Sequence, residues 1–140
     1  MIVSAKSVYR PRLSTGQFID AKITPGVIAA VEASDAMVLQ EAQAIVPVRS
    51  GELLASGKVL PVEQKGSTVV GGVAFTAHHA AYVEFGTGIR GAAGPGSGPY
   101  PYSTTWPGMS PQPYLRPALD TAREAIRGLF RSQVALNLNK

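Results

Sequence analysis

Apolar residues recur every three or four positions after Pro25, and this spacing predicts one long amphipathic helix. Thr24 is a suitable N-cap, Pro25 suits the first helical position, and Pro47 ends the helix at Val46. The predicted buried stripe contains Val27, Val31, Ser34, Val38, Ala42 and Ile45, and it is widened by Ile28, Ala36 and Leu39. The face predicted to meet water carries Glu32, Asp35 and Gln43.

A strand-like pattern follows, preceded by a short helical turn that Ser50 can cap. The segments "KVLPVEQ" and "STVVGGVAFTA" are separated by "KGS", which predicts a β-hairpin. One face of the second strand is predicted to carry Val69, Gly71, Val73 and Phe75. The pair Gly71-Gly72 indicates a bulge or close packing against another backbone.

The helical spacing returns in the last segment, "RPALDTAREAIRGLFRSQVALNLNK", with Pro117 in its first turn. Its predicted buried stripe contains Leu119, Ala122, Ile126, Leu129, Phe130 and Gln133. Strands and helices are segregated along the chain, so the predicted class is α+β. A small antiparallel sheet is expected to pack against the long helix of the N-terminal half and against the C-terminal helix.

Two segments fall outside these regular elements. Residues 1–23 favour β-structure around the turn "LSTGQ" and are predicted to form a hairpin or an arm that orders on a neighbour, while residues 24–140 form one α+β domain. Within that domain, residues 86–113 are a long Gly/Pro-rich loop. Loops of this length are usually functional or disordered. This loop carries apolar side chains that need a covering surface, namely Tyr100, Tyr102, Trp106 and Met109.

The composition excludes some classes of protein but does not indicate one function. The chain has 140 residues, 45% hydrophobic and 16% charged, which is typical of one folded domain. The net charge of +4 is a mild basic excess, and the lack of cysteine excludes disulfides and thiolate metal sites. No apolar run is long enough for a signal peptide or a membrane span, so the expected location is inside a cell or in a particle assembled there.

The stretch "HHAAYVEFGTG" contains the most obvious candidates for chemistry, His78, His79 and Glu84. Adjacent side chains diverge in helices and strands, and no third ligand has suitable spacing, so no metal site is predicted. A hydrolase using these three residues is kept as an alternative. The strings "GPGSG" and "GTGIRG" lack the flanking strand and helix of a nucleophile elbow or a dinucleotide site, so no catalytic or cofactor-binding residue is predicted.

A second alternative is a small basic nucleic-acid-binding module. It would use Arg116, Arg123, Arg127 and Arg131 of the last helix. Asp120 and Glu124 lie three or four positions from these arginines, however, and the favoured interpretation is a ladder of ion pairs.

Glu84 stands between Val83 and Phe85 and can either point to water or anchor the loop. An anchoring carboxylate would accept backbone N–H groups or pair with an arginine, for which Arg116 is the candidate. The expected consequence is that Glu84→Gln and Arg116→Lys each lower stability or assembly.

Three motifs in this order resemble the small minor tail proteins of long-tailed phages, also called neck or tail-completion proteins. They are "PVRSGEL" from Pro47, "YVEFGT" from Tyr82 and "QPYLRPA" from Gln112, and the resemblance covers about residues 24–135. Arg49 stands where members of the family often carry an acidic residue. The structural residues that the motifs and the loop predict are Tyr82, Glu84, Phe85, Gly86, Thr87, Tyr100, Tyr102, Trp106, Met109, Pro113, Tyr114, Arg116 and Pro117.

The resemblance implies a non-catalytic virion protein, without a cofactor, located in the neck or tail and assembled in the host cytoplasm. It implies a homo-oligomeric ring, commonly of six subunits, that contacts neighbouring proteins such as the head-closure protein, the tail terminator or the tail tube. DNA would pass nearby without specific binding, and a tail terminator is the alternative role in the same virion region. The contact elements are expected in residues 89–113 and 1–23.

Overall fold

A three-stranded antiparallel sheet forms one layer of the protein. The computed structural model describes residues 3–9, 17–66, 68–91 and 105–139. Strand β1 spans Val3–Tyr9, β2 spans Gly57–Lys65 and β3 spans Thr68–Phe75, in the order β1-β3-β2. The predicted hairpin is β2 and β3, and β3 is central because β1 pairs with its other edge.

The sheet has one irregularity, in β2. The pairing with β3 shifts between Leu60 and Glu63, where Pro61 has no N–H to donate to the ladder. The bulge is therefore in the partner strand β2, opposite Gly71 and not in the strand that carries the two glycines. Gly71 instead allows close packing, because a Cβ atom there would collide with the Asp35 carboxylate and with Val31.

The second layer is helical. Helix α1 spans Gln17–Ile45, α2 spans Glu52–Ala55, α3 spans Ala80–Phe85 and α4 spans Leu115–Leu138, with a 3-10 turn at Gly88–Arg90. Helix α1 contacts both the sheet and α4. A Cβ atom on Gly26 would lie 2.8 Å from the Gln133 carbonyl oxygen, so the beginning of α1 lies against the end of α4.

The predicted start of α1 at Thr24 is wrong, because the helix begins at Gln17 and contains Pro25. Ile23 packs with Val27 and Val31, which are buried at four-residue spacing, so the apolar stripe continues through the proline. This packing offsets the hydrogen bond that proline cannot donate. The predicted division of the chain after residue 23, and the arm that orders on a neighbour, stay predictions.

The buried stripe of α1 is confirmed from Val27 to Ala42, with three differences. Ile45 is exposed, and Ala36 lies on the outer face. Asp35 was expected to meet water but is buried, because it faces the sheet where Gly71 leaves room for it.

Two groups of buried side chains connect the layers. The larger contains Val38, Ala42, Val46, Leu53, Val73, Phe75, Ala77, Ala80, Ala81, Tyr114, Leu115, Ala118 and Ala122. The smaller contains Val27, Val31 and Val69, with Phe130 and Val134 of α4 packed against it. The α+β class is confirmed: an antiparallel sheet packs against the long helix α1, and the C-terminal helix α4 packs mainly against α1.

Candidate functional site

Glu84 closes the beginning of helix α4. Its carboxylate is buried and accepts the backbone N–H groups of Tyr114 at 2.8 Å, Leu115 at 3.0 Å and Arg116 at 3.1 Å. The first N–H groups of a helix have no partner inside the helix, and the positive end of the helix dipole favours a negative group. The Glu84 side chain therefore ties α3 to α4 across the long loop.

The structure selects one of the two predicted anchoring modes for Glu84. Both carboxylate oxygens are occupied by backbone N–H groups, and Arg116 contributes its backbone N–H while the residue itself is exposed. The expectation that Arg116→Lys would lower stability loses its basis, since any non-proline residue supplies the same donor.

Tyr114 forms a second connection between α3 and α4. Its side chain is fully buried, its hydroxyl donates to the Ala80 carbonyl at 3.2 Å, and its ring meets Phe75 edge-to-face at 4.8 Å. Burial raises the pKa of Tyr114 well above its ordinary value, and the nearby Glu84 carboxylate raises this pKa further. Tyr114 therefore remains a neutral hydrogen-bond donor at physiological pH.

The two ends of the long loop pair with each other. Thr87 and Met109 exchange backbone hydrogen bonds of 2.9 and 3.2 Å, and the Ile89 N–H donates to the Trp106 carbonyl at 2.9 Å. The Thr87 hydroxyl accepts from the Met109 N–H at 3.0 Å, and Gln112 donates to the Val83 carbonyl at 2.8 Å. Residues 86–91 and 105–113 thus form a paired stem, called the loop stem below.

Glycine is required at both sides of the loop stem. Gly86 has φ 73° and Gly108 has φ 65°, in the region that side-chain-bearing residues rarely adopt. A Cβ atom on Gly108 would collide with the Thr87 carbonyl, and one on Gly86 would lie 2.6 Å from the Met109 carbonyl oxygen. The expected exit of the chain at Gly86 is therefore present, and Gly108 marks the matching return.

All three sequence motifs meet around one open groove of about 800 Å³, called the motif groove below. Its lining residues are Pro47, Val48, Arg49, Ser50, Gly51, Leu53, His79, Tyr82, Val83, Met109 and Gln112. The first motif supplies the turn before α2, the second supplies α3, and Gln112 begins the third. Residues more than 60 positions apart in sequence therefore share one surface.

Large apolar side chains are exposed in and beside this groove. Val48 is 64% exposed and Tyr82 is 42% exposed on the groove itself. On the loop stem, Ile89 is 48% and Trp106 is 57% exposed. Clustered exposed apolar side chains are typical of surfaces that bind another protein.

The remaining predicted structural residues have different positions. Phe85 is half-buried against the core, Pro113 is exposed before α4, and Pro117 lies in the first turn of α4. Tyr100 and Tyr102 lie outside the described residues. Helix α3 was not predicted, because a six-residue helix is too short to show periodicity and Tyr, Val and Phe favour strands.

The hydrolase alternative is not supported by the positions of its residues. Glu84 is buried with its carboxylate on the N–H groups of α4, whereas His78 is exposed and lies 3.6 Å from the Glu52 carboxylate. Sequence reasoning did not include Glu52 in this group. The local sequence indicates only that Glu52 lies in a short turn between helix α1 and strand β2, which does not place it near the histidines.

The predicted ion-pair ladder on α4 is present. Arg123 binds Asp120 at 2.8 Å and Arg127 binds Glu124 at 2.7 Å, both three residues apart. These pairs reduce the unpaired positive charge on that face, which counts against the nucleic-acid-binding alternative.

The fold and the groove together define a class: a small α+β protein whose three sequence motifs meet around one groove with exposed apolar side chains. Within that class, residues 25–86 match the model of the HK97-gp10-like family, described as Bacteriophage HK97-gp10, putative tail-component. The match covers fewer than half of the residues and includes the first motif and most of the second. It confirms the resemblance to phage tail proteins and supports a structural role in the tail.

No curated protein and no solved structure matches the chain. Among the described residues, no helix has both the length and the apolar character that crossing a membrane requires.

Proposed function

We propose that this chain is a non-catalytic structural protein of the phage neck or tail. It acts as a tail-completion or head–tail joining protein and works by assembling into a homo-oligomeric ring. The family match supports the tail role and, with it, a location in the virion. The observation that carries the proposal is the convergence of three distant motifs on one groove with exposed apolar side chains.

The buried polar groups support this proposal because they hold the groove in one shape. Glu84 and Tyr114 fix α3 against the beginning of α4, and Gln112 is held on Val83. A rigid surface loses little conformational entropy on association, so modest contacts repeated around a ring can be strong together.

The partners proposed beyond the ring are the neighbouring neck and tail proteins, such as a head-closure protein, a tail terminator or a tail tube. The paired arginines of α4 agree with a role in which DNA passes the assembly without tight binding. A dense unpaired basic surface would instead hold DNA by releasing its counterions.

The test is the oligomeric state of the purified chain, measured by light scattering and viewed by negative-stain microscopy. We expect rings with a central hole. Tyr82→Ala and Trp106→Ala should each weaken association by roughly tenfold or more, as expected for aromatic anchors of an interface.

Leu136→Ala is the matched control, because Leu136 is also a large exposed apolar residue, 58% exposed, but lies near the end of α4. It should assemble like the unmodified chain. A monomer at every concentration, or equal association of all three variants, would overturn the ring proposal.

A further inference from the structure

We propose that Glu52, His78 and His79 form a binding site for a divalent transition metal ion of the Zn²⁺ type. Each residue offers one ligand atom, and the three atoms all lie within 4.8 Å of one another. The site joins the turn at α2 to the turn before α3. It is independent of the proposed ring and of the family match.

The two histidines converge because they lie in a turn. Residues 77–79 form a bend between β3 and α3, closed by the Ala80 N–H donating to the Ala77 carbonyl at 3.0 Å. His79 has φ −95° and ψ 1°, which is neither helical nor extended. Adjacent side chains diverge in helices and strands. In this turn the ring centroids of His78 and His79 are only 4.9 Å apart.

Both segments that carry the three ligand residues are anchored in the fold. Glu52 precedes the buried Leu53, and the histidines lie between the buried residues Ala77 and Ala80. The Thr76 N–H donates to the Ser56 carbonyl at 3.3 Å, which connects the two segments directly. Ligands carried by such connected, anchored segments need little reorganisation to bind an ion.

The distances suit a transition metal. Ligand distances of about 2.0–2.2 Å to Zn²⁺ place neighbouring tetrahedral ligand atoms roughly 3.3–3.6 Å apart. The His78 Nδ1 atom is already 3.6 Å from the Glu52 Oε1 atom. Rotation of side chains that are 79% and 55% exposed can bring the remaining atoms together.

The ligand types decide which metal binds. Two imidazoles and one carboxylate suit Zn²⁺, Ni²⁺ or Cu²⁺, whereas Mg²⁺ and Ca²⁺ prefer oxygen ligands alone. Three protein ligands leave the fourth position to water. Because His79 also lines the motif groove, the bound ion lies at the rim of that groove.

The test is a titration of the tag-free chain with Zn²⁺ by calorimetry, together with thermal unfolding with and without the ion. We expect one Zn²⁺ per chain and a rise in the unfolding temperature with Zn²⁺ concentration, because the ion binds the folded state. Glu52→Gln, His78→Ala and His79→Ala should each weaken Zn²⁺ binding by about tenfold or more, at least the effect of losing an outer-shell partner.

Glu63→Gln is the matched control, because Glu63 is an exposed carboxylate in β2 with a surface ion pair to Lys65 at 3.1 Å. It should bind Zn²⁺ like the unmodified chain. All four substitutions are at the surface or in a turn, and circular dichroism checks that each variant is folded. Unchanged Zn²⁺ affinity in Glu52→Gln, or a stoichiometry near zero, would overturn the three-ligand site.

Discussion

At the scale of single residues, Glu84 shows how a charged side chain can organise a fold. Its neighbours Val83 and Phe85 are apolar, and its sequence context allowed a solvent-facing position as readily as an anchoring one. In the structure it is 5% exposed and accepts three backbone N–H groups. A buried carboxylate is tolerated when such donors replace water.

Glu84→Gln tests this role. The amide has one oxygen to accept hydrogen bonds, and its NH₂ group meets N–H donors, so the free energy of unfolding should fall by about 2–4 kcal/mol. Urea denaturation measures the loss. Glu124→Gln is the control, since Glu124 forms a surface pair with Arg127 and should change stability by less than about 1 kcal/mol.

Arg116→Lys tests whether only the backbone of residue 116 supports Glu84. This variant keeps the backbone N–H donor, so the free energy of unfolding should change by less than about 0.5 kcal/mol. In a double-mutant cycle with Glu84→Gln the two effects should add within about 0.5 kcal/mol. A larger coupling energy would show that the Arg116 side chain, and not only its backbone, supports Glu84.

Because the pKa of Tyr114 is raised in the folded chain, we expect the free energy of unfolding to fall at alkaline pH. Its pKa is raised in the folded state by burial and by Glu84, so the folded chain holds the phenolic proton more tightly than the unfolded chain does. This stabilisation is fully present below the ordinary tyrosine pKa of about 10 and is lost progressively as the pH rises above it.

Phenolate absorbance measures this effect directly, because one of the five tyrosines should ionise only on unfolding. Tyr114→Phe should be less stable near neutral pH by about 1 kcal/mol, from the lost bond to Ala80, and should lack this part of the alkaline dependence. An identical alkaline profile in both proteins would contradict the assignment.

At the scale of elements, the loop stem shows how a long loop can have fixed ends. Thr87 and Met109 pair through their backbones, and the approach is close enough that Gly108 has no room for a side chain. Together with the α4 cap, the stem fixes both ends of the predicted loop. Trp106 is therefore presented from a defined backbone.

Gly108→Ala tests the close approach, with Gly66→Ala as its control. Both glycines have similar positive φ angles, 65° and 60°, but nothing lies within 4 Å of a Cβ atom on Gly66. Gly66→Ala should cost about 1–2 kcal/mol for the left-handed backbone alone. Gly108→Ala should cost more, because its Cβ atom would also collide with the Thr87 carbonyl.

Hydrogen exchange locates this effect, since the Ile89 amide donates across the stem to Trp106. Its exchange should become faster in Gly108→Ala and remain unchanged in Gly66→Ala. Equal stability losses with a protected Ile89 amide in both variants would show that the stem tolerates a side chain at residue 108.

At the scale of the whole molecule, helix α1 contacts the sheet on one side and α4 on another, while the motif groove forms where the turn before α2 meets α3 and the loop stem. Among the described residues, Val48, Tyr82, Ile89 and Trp106 are large apolar side chains exposed on this groove and stem, and others are exposed on α1, β2 and the end of α4. On α4, Arg123 and Arg127 are each paired with a carboxylate. This distribution favours protein contacts over nucleic-acid contacts.

The pairing on α4 predicts weak DNA binding. At physiological salt, affinity for duplex DNA should be no tighter than the nonspecific range of about 10⁻⁴–10⁻⁶ M. Replacing both Asp120 by Asn and Glu124 by Gln frees Arg123 and Arg127, and binding should strengthen and become more salt-dependent. Fluorescence anisotropy of labelled duplex DNA measures the affinity of the unmodified chain and of the double variant. Submicromolar binding by the unmodified chain would favour the nucleic-acid-binding module.

Local patterns determined much of the fold. The buried stripe from Val27 to Ala42, the β2–β3 hairpin and the ion pairs of α4 follow from spacings of two, three and four residues, and the structure has them all. The three motifs also indicated a phage tail protein, and the family match confirms that resemblance. These features are readable because each depends on neighbours close in sequence.

Tertiary structure alone decided the partners of the polar groups. Glu84 meets a donor 30 positions away, Asp35 is buried only because Gly71 makes room, and Glu52 comes beside His78 through the turn that ends β3. No local periodicity encodes such contacts, because they depend on how the elements pack. The sequence determined the central part of α1, the β2–β3 hairpin and α4, because each has a clear periodic pattern, whereas packing determined the first turns of α1, helix α3, the α4 cap, the motif groove and the cluster of Glu52 with the two histidines.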